Sequence, residues 1–163
     1  MLRAAARRTL DLPELNILFF AFLLHFMWEM LQVPLYAELS GATHWDGIRT
    51  CLRATVGDAA IALIAFWCAA LAGQSRQWFR WRNRTAYIVY VGVRLLATIV
   101  LERLATGPAQ RWVYAPAMPI VPLLGVGLSP IMQWLVLPPL VLWITRRQLR
   151  AGTARNRCLE PGA

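Results

Sequence analysis

The stretch Leu24-His25-Phe26-Met27-Trp28-Glu29-Met30-Leu31-Gln32-Val33-Pro34-Leu35-Tyr36 decides how the chain is read. It carries a histidine, a glutamate and a glutamine through a run whose other residues suit hydrocarbon. On an α-helix His25, Trp28, Glu29, Gln32 and Tyr36 fall at i, i+3, i+4, i+7 and i+11, which is one face. An ionisable side chain at membrane depth costs about 2.5–3.5 kcal/mol on insertion scales, so it is kept where it is paired or used. The pattern predicts a membrane helix with one polar wall.

Composition extends that reading to the whole chain. Of the 163 residues 58% are hydrophobic and 15% charged, and the mean hydropathy is +0.47. Soluble domains carry about 25% charged residues. The length fits a single integral membrane domain, residues 1–163, with room for about four spans of about 20 residues each. The spans are expected at about 15–36, 54–72, 85–105 and 129–145, with a tail over 146–163. The Met1-to-Arg8 segment could open a signal peptide. The apolar run behind it carries Glu29 and no clear small-x-small cleavage site, so it reads as a retained first helix. Between the third and fourth spans lie Pro116, Pro119, Pro122, Gly125, Gly127 and Pro130, which oppose a regular helix. This part is expected to be irregular or re-entrant, with a kink in the last helix near Pro138-Pro139. The expected fold is therefore all-α, a polytopic membrane bundle of four transmembrane helices with a Pro/Gly-rich segment before the last.

The net charge is +9, and all seventeen basic residues are arginines. Such a balance can signal nucleic-acid binding, but no groove-reading motif is present and the charge sits between apolar runs. Twelve arginines fall on one side of a four-span topology: Arg3, Arg7, Arg8, Arg76, Arg80, Arg82, Arg84, Arg146, Arg147, Arg150, Arg155 and Arg157. Arg49, Arg53, Arg103 and Arg111 fall on the other. The positive-inside rule then puts both termini in the cytoplasm of a bacterial inner membrane. Gln77-Trp78-Phe79-Arg80-Trp81-Arg82-Asn83-Arg84 reads as an interfacial anchor. Cys51, Cys68 and Cys158 support neither a disulfide framework nor a zinc motif.

With that topology Glu29, Asp58 and Glu102 share the outer leaflet. Arg94, Thr98 and Glu102 form a second polar stripe at intervals of four. Expected catalytic residues are Glu29 as acid/base, His25 as its partner, and Asp58 or Glu102 as the second carboxylate. Trp28, Gln32, Arg94, Tyr114 and Gln133 are expected to line a ligand site. The same residues also have an architectural reading, in which Arg94 pairs with Glu29 or Asp58, Arg103 pairs with Glu102, and the glutamines are interhelical glue. His44, with Trp45 and Asp46, reads as an outer-loop residue.

Hydrolysis and phosphate chemistry find no support, since neither a nucleophile elbow nor a P-loop occurs. His25 and Glu29 make one metal-compatible pair, without a second Glu-x-x-His element, so no metal or other cofactor is expected. Acid–base chemistry on a lipophilic molecule fits better, because a carboxyl in an apolar pocket can deliver a proton near neutral pH. The expected partners are membrane lipids, a lipophilic small molecule and, compatibly, further copies of the chain. Alternatives are a small transporter or proton- or ion-coupled permease, and an assembly subunit without chemistry.

Glu29-Met30-Leu31-Gln32-Val33-Pro34 and Asp58 resemble elements of the EXPERA superfamily, which includes sterol Δ8–Δ7 isomerase proteins and the sigma-2 receptor. The resemblance covers the first two spans. It implies a four-helix core in which intramembrane acids and aromatics hold a sterol-like or isoprenoid molecule. Glu102, Thr106-Gly107 and Trp112-Val113-Tyr114 look like a segment of carotenoid-modifying membrane enzymes. Over most of its length the chain resembles small four-helix bacterial inner-membrane proteins. They share a WExxQxPLY-like first helix and a WxYxxxMPxxP segment, here Trp28–Tyr36 and Trp112–Pro122. That likeness implies no activity.

Overall fold

The computed structural model describes residues 12–39, 41–80 and 83–159, the last nine as backbone alone. Arg3, Arg7, Arg8, Trp81, Arg82 and the side chains of Arg155, Arg157 and Cys158 lie outside what is described. Four α-helices stand among the described residues: α1 (Pro13–Gln32), α2 (His44–Ala72), α3 (Arg84–Thr106) and α4 (Leu128–Leu159). Two single 3-10 turns, Val33–Leu35 and Ala37–Leu39, follow α1. Three helical stretches are long and apolar enough to cross a membrane, namely Pro13–Leu35, His44–Ala72 and Leu128–Arg150. At about 1.5 Å per residue α3 also has the length for about 30 Å of hydrocarbon. Arg84, Arg94, Glu102 and Arg103 lie along it.

Local chemistry sets the helix starts. Pro13 opens α1, where a missing N–H costs nothing and its fixed φ suits the first turn. Thr43 caps α2: its hydroxyl accepts from the Asp46 N–H at 3.3 Å and donates to the Asp46 carboxylate at 2.6 Å. The helix therefore begins about ten residues before the expected span, and His44 belongs to its first turn, not to a loop. Asn83 caps α3 by accepting from the Ala86 N–H at 3.0 Å. The last helix runs unbroken through Pro138 and Pro139 to Leu159, well into the expected tail. Its flanking residues Trp134, Leu137, Val141 and Leu142 are buried against neighbours. That packing holds the helix together where the prolines remove two backbone donors.

The helices run alternately up and down, with α1 and α3 each packed between α2 and α4. The interior is built from small and polar groups. On α1 the inward stripe is Ile17, Ala21, His25 and Gln32, while Phe19, Met27 and Leu31 point out, Leu31 with 76% of its surface exposed. On α2 it is Cys51, Thr55, Ala59, Ala62, Phe66 and Ala69, and on α3 it is Ala86, Tyr90, Arg94, Thr98, Glu102 and Ala105. Small inward residues let helix backbones approach closely, and the large apolar side chains stand on the outside.

One half of the bundle interior is apolar. Ile17, Ala21, Phe66, Tyr90 and Val141 pack there with Trp78 and Phe79. These two aromatics correct the expectation of an interfacial anchor. After Gly73 the chain turns back at Gln74 (φ 50°) and folds both rings under the end of the bundle. Trp78 lies 5.1 Å from the Tyr90 ring and 6.0 Å from Phe66. Arg76 reaches Glu14 instead, with Nη2 2.5 Å from Oε1.

The Pro/Gly-rich segment is a small hairpin at the opposite end. Its strands β1 (Ile120–Val121) and β2 (Val126–Gly127) are antiparallel, pairing Ile120 with Gly127 and Val121 with Val126. Gly125 supplies the positive φ of the turn, +61°. Nothing in the described residues supports a re-entrant path for it. A Cβ at Gly127 would sit 2.8 Å from the Met118 sulfur, so any larger residue there would force the Met118 side chain to shift.

Candidate functional site

The carboxylates gather at the hairpin end, and Gln133 is the hub. This α4 side chain is 2% exposed. Its amide nitrogen lies 2.8 Å from His25 Nδ1, 3.2 Å from Glu29 Oε1 and 3.1 Å from Asp58 Oδ2. His25 Nδ1 is also 3.2 Å from Asp58 Oδ2. The space among a histidine and two acids is thus filled by an amide. No three His, Cys, Asp or Glu side chains among the described residues make a metal-binding group.

Proton counting shows what this cluster can do. An NH2 group donates two hydrogen bonds, and three acceptors surround it. In one arrangement Gln133 donates to Glu29 and Asp58 while His25 Nδ1–H donates to Asp58. The His25 Nε2 lone pair is then bare. In the other, Gln133 donates to Nδ1 and the ring proton sits on Nε2. Either way Nε2 is buried and has no partner among the described residues. A fully buried imidazole nitrogen with nothing to bond is costly, by about 1–3 kcal/mol. The Trp134 ring covers His25, centroid to centroid 4.5 Å.

A second chain of bonds fixes the glutamate. Trp28 Nε1 donates to Ser129 Oγ at 3.2 Å, Ser129 donates to Gln32 Oε1 at 2.9 Å, and Gln32 Nε2 donates to Glu29 Oε1 at 2.8 Å. The spacing of Trp28, Glu29 and Gln32 on α1 makes this possible, because all three face α4. Glu29 itself is half-buried.

Glu102 is held separately. Tyr114 donates to its Oε2 at 2.5 Å and Trp112 Nε1 does so at 3.3 Å. Two loops bring those donors in. A lone antiparallel bridge joins Tyr36 to Tyr114, with Ala37 N to Val113 O and Ala115 N to Leu35 O both at 2.9 Å. Burial, then the neighbouring Glu102, pushes the phenols of Tyr36 and Tyr114 well above their ordinary range, so both stay protonated. Among the described residues the side-chain hydrogen bonds to the Glu102 carboxylate come from Tyr114 and Trp112 and not from the Gln133 cluster.

Arg94 corrects the expectation of a counter-ion. No carboxylate among the described residues comes within ion-pair distance of it. The guanidinium is fully buried, donates to Ala62 O at 3.3 Å and to the Tyr90 hydroxyl, and stacks over the Tyr90 ring at 3.9 Å. Trp134 lies on another side at 5.5 Å. Its Nε and Nη1 have no hydrogen-bond partner among the described residues, and neither does Thr98 Oγ1 one turn further along α3. Nor does Arg103 pair with Glu102, which takes its bonds from Tyr114 and Trp112.

The structure therefore unites His25, Trp28, Glu29, Gln32, Asp58 and Gln133, and leaves Glu102 with Tyr114 and Arg94 with Tyr90 as neighbours. Two members escape a reading of sequence alone. Ser129 is four residues before Gln133, and Tyr90 is four before Arg94. In each case the i, i+4 spacing is the signal that could have found it. Comparison with protein-family models, with curated proteins and with solved structures gives no match to this chain.

Proposed function

We propose that the chain is a four-span integral membrane protein in which α3 completes the bundle. We further propose that its buried polar cluster binds a lipophilic molecule and transforms it by acid–base chemistry. The observation that carries this reading is His25 Nε2: a fully buried imidazole nitrogen, held from behind at Nδ1 and unpartnered in front. Buried polar atoms are almost always bonded, and an exception calls for a reason, of which a catalytic role is one. Arg94 Nε, Arg94 Nη1 and Thr98 Oγ1, unpartnered on the facing stripe, support the same conclusion.

The roles follow from the contacts. His25 Nε2 takes or gives the proton. Asp58 and Gln133 are positioning residues that select its tautomer. Glu29, half-buried and oriented by Gln32, supplies the second acid/base. Proton donation from one of the pair and abstraction by the other would move a double bond with no net change in protons. The ring face of Trp134, beside His25, suits a carbocation developing between them. The likeness in plan to the EXPERA proteins points toward an isoprenoid or sterol-like substrate. The arginines at the other end, including Arg76, Arg84, Arg146 and Arg147, support cytoplasmic termini in a bacterial inner membrane.

Glu29→Gln tests the reading. Lipid extracts from cells producing the wild-type chain should contain a converted lipophilic product that extracts from the Glu29→Gln strain lack, at equal protein levels. Equal product in both strains sinks it.

A further inference from the structure

Arg94 stands outside the acid–base pair, yet the fold buries it completely. We propose that the lipophilic molecule held by the buried cluster carries an ionised carboxylate, and that Arg94 and Thr98 receive that group. The proposal rests on the reading that a lipophilic molecule enters the bundle, and not on any proton transfer at His25.

Charge is the first observation. A guanidinium stays protonated in a protein, and a buried charge without a counter-ion is costly to hold. Nη2 donates to Ala62 O and to the Tyr90 hydroxyl. The three N–H bonds on Nε and Nη1 meet no acceptor among the described residues. Asp58 sits one turn from Ala62 on α2, but its carboxylate is taken by His25 and Gln133. Thr98 is the second observation. A helical threonine can satisfy its hydroxyl on the carbonyl four residues back. Thr55 does so on Cys51 O and Thr106 on Glu102 O, each at 2.8 Å. Thr98 Oγ1, buried one turn beyond Arg94, has no partner among the described residues. Two neighbouring positions on one face of α3 thus hold donors to spare.

Trp134 links these donors to the His25 cluster. Its ring lies 4.5 Å from the His25 ring and 5.5 Å from Arg94 Cζ, so the imidazole and the cation meet one indole. A molecule whose head sits at Arg94 lays its apolar body along Trp134 toward His25. Of the neighbouring helix pairs, α3 and α4 meet least, which makes the seam that carries Arg94 and Trp134 the natural way in. The head is a carboxylate by charge. A neutral oxygen would fill a hydrogen bond and leave the cation uncompensated. A phosphate monoester brings nearly two negative charges to one guanidinium.

The test titrates the detergent-solubilised full chain with retinoic acid or retinol, an isoprenoid acid and its alcohol, and reads binding from the quenching of tryptophan fluorescence. Retinoic acid should bind about tenfold or more tightly than retinol, because hydrogen bonds to a charged group are the stronger kind. Arg94→Met should weaken retinoic acid about tenfold and leave retinol unchanged. Arg94→Lys should keep the preference, since lysine supplies the same charge as a point. Thr98→Val should weaken retinoic acid about threefold. If Arg94→Met fails to fold, the wild-type preference and Thr98→Val still decide. Equal affinity for acid and alcohol overturns the proposal while leaving a lipophilic occupant in place. So does a folded Arg94→Met protein that keeps the preference. Retinoic acid that fails to bind overturns it too, and the lipophilic reading is then judged separately, on the molecule that co-extracts with the chain.

Discussion

Replacing Gln133 by leucine is the most informative single change for the architecture of the site. Leucine approximates the volume of glutamine, so the effect isolates hydrogen bonding from cavity formation. The Gln133 amide nitrogen has three acceptors within 3.2 Å and two protons to give. Two bonds are lost. Bonds to charged groups in soluble proteins are worth about 1.5–3 kcal/mol each, which would make the loss roughly 3–6 kcal/mol. The membrane scale is smaller, averaging about 0.6 and reaching about 1.7 kcal/mol per interaction, because helices separated in lipid still find polar partners. On the proposed membrane reading the smaller scale applies, and two near-maximal bonds give about 2–3 kcal/mol. The assay is reversible unfolding in mixed micelles with rising dodecyl sulfate, read by far-ultraviolet circular dichroism. A second variant, Ser129→Ala, interrupts the chain from Trp28 to Gln32 and should cost about 1 kcal/mol. The Gln133→Leu effect should also couple to Asp58→Asn by at least about 0.5 kcal/mol, since the two groups are in contact. A Gln133→Leu protein within about 0.3 kcal/mol of wild type, additive with Asp58→Asn, would refute the hub.

Arg94→Met should unfold no more readily than wild type, because the buried cation has no carboxylate and leaves two donor atoms unmet; a loss above about 2 kcal/mol in the same micelle assay would contradict this. Tyr36 and Tyr114 should give no phenolate absorbance until the protein unfolds, measured as the difference at 295 nm between wild type and Tyr36→Phe/Tyr114→Phe. The sign follows from their raised values: their contribution to stability is intact below about pH 10 and falls as the pH climbs from there toward the native value. Gly127→Ala should destabilise by about 1–3 kcal/mol through its clash with the buried Met118, and Met118→Ala should relieve most of that.

How far the sequence could be read differs by element. The polar face of α1 was legible, because His25, Trp28, Glu29 and Gln32 repeat at helical spacing and the structure bonds all four to α4 or α2 partners. Asp58 and Gln133 were legible as lone polar residues in apolar runs. The Arg94 stripe was legible as periodicity, and its partner Tyr90 lies one turn earlier on the same helix. Periodicity could not tell that no carboxylate among the described residues of a neighbouring helix comes within ion-pair distance. The loops were misread for a related reason. Trp78 and Phe79 look interfacial by composition, yet a turn at Gln74 carries them beneath the core. The prolines at 138 and 139 do not interrupt α4, which stays continuous with buried residues on either side. The Pro/Gly run before α4 was legible as non-helical. Its hairpin pairing and the Tyr36–Tyr114 bridge are long-range contacts that no local pattern announces.

The central claim is that the His25 cluster holds a lipophilic molecule. Organic extracts of the purified wild-type, Asp58→Asn and Arg147→Gln proteins, analysed by mass spectrometry at equal protein and detergent, test it most directly. The account predicts a lipophilic species near one equivalent in the wild type and in Arg147→Gln, and its loss from a folded Asp58→Asn protein. The same species at the same stoichiometry in all three, or in none, would contradict it.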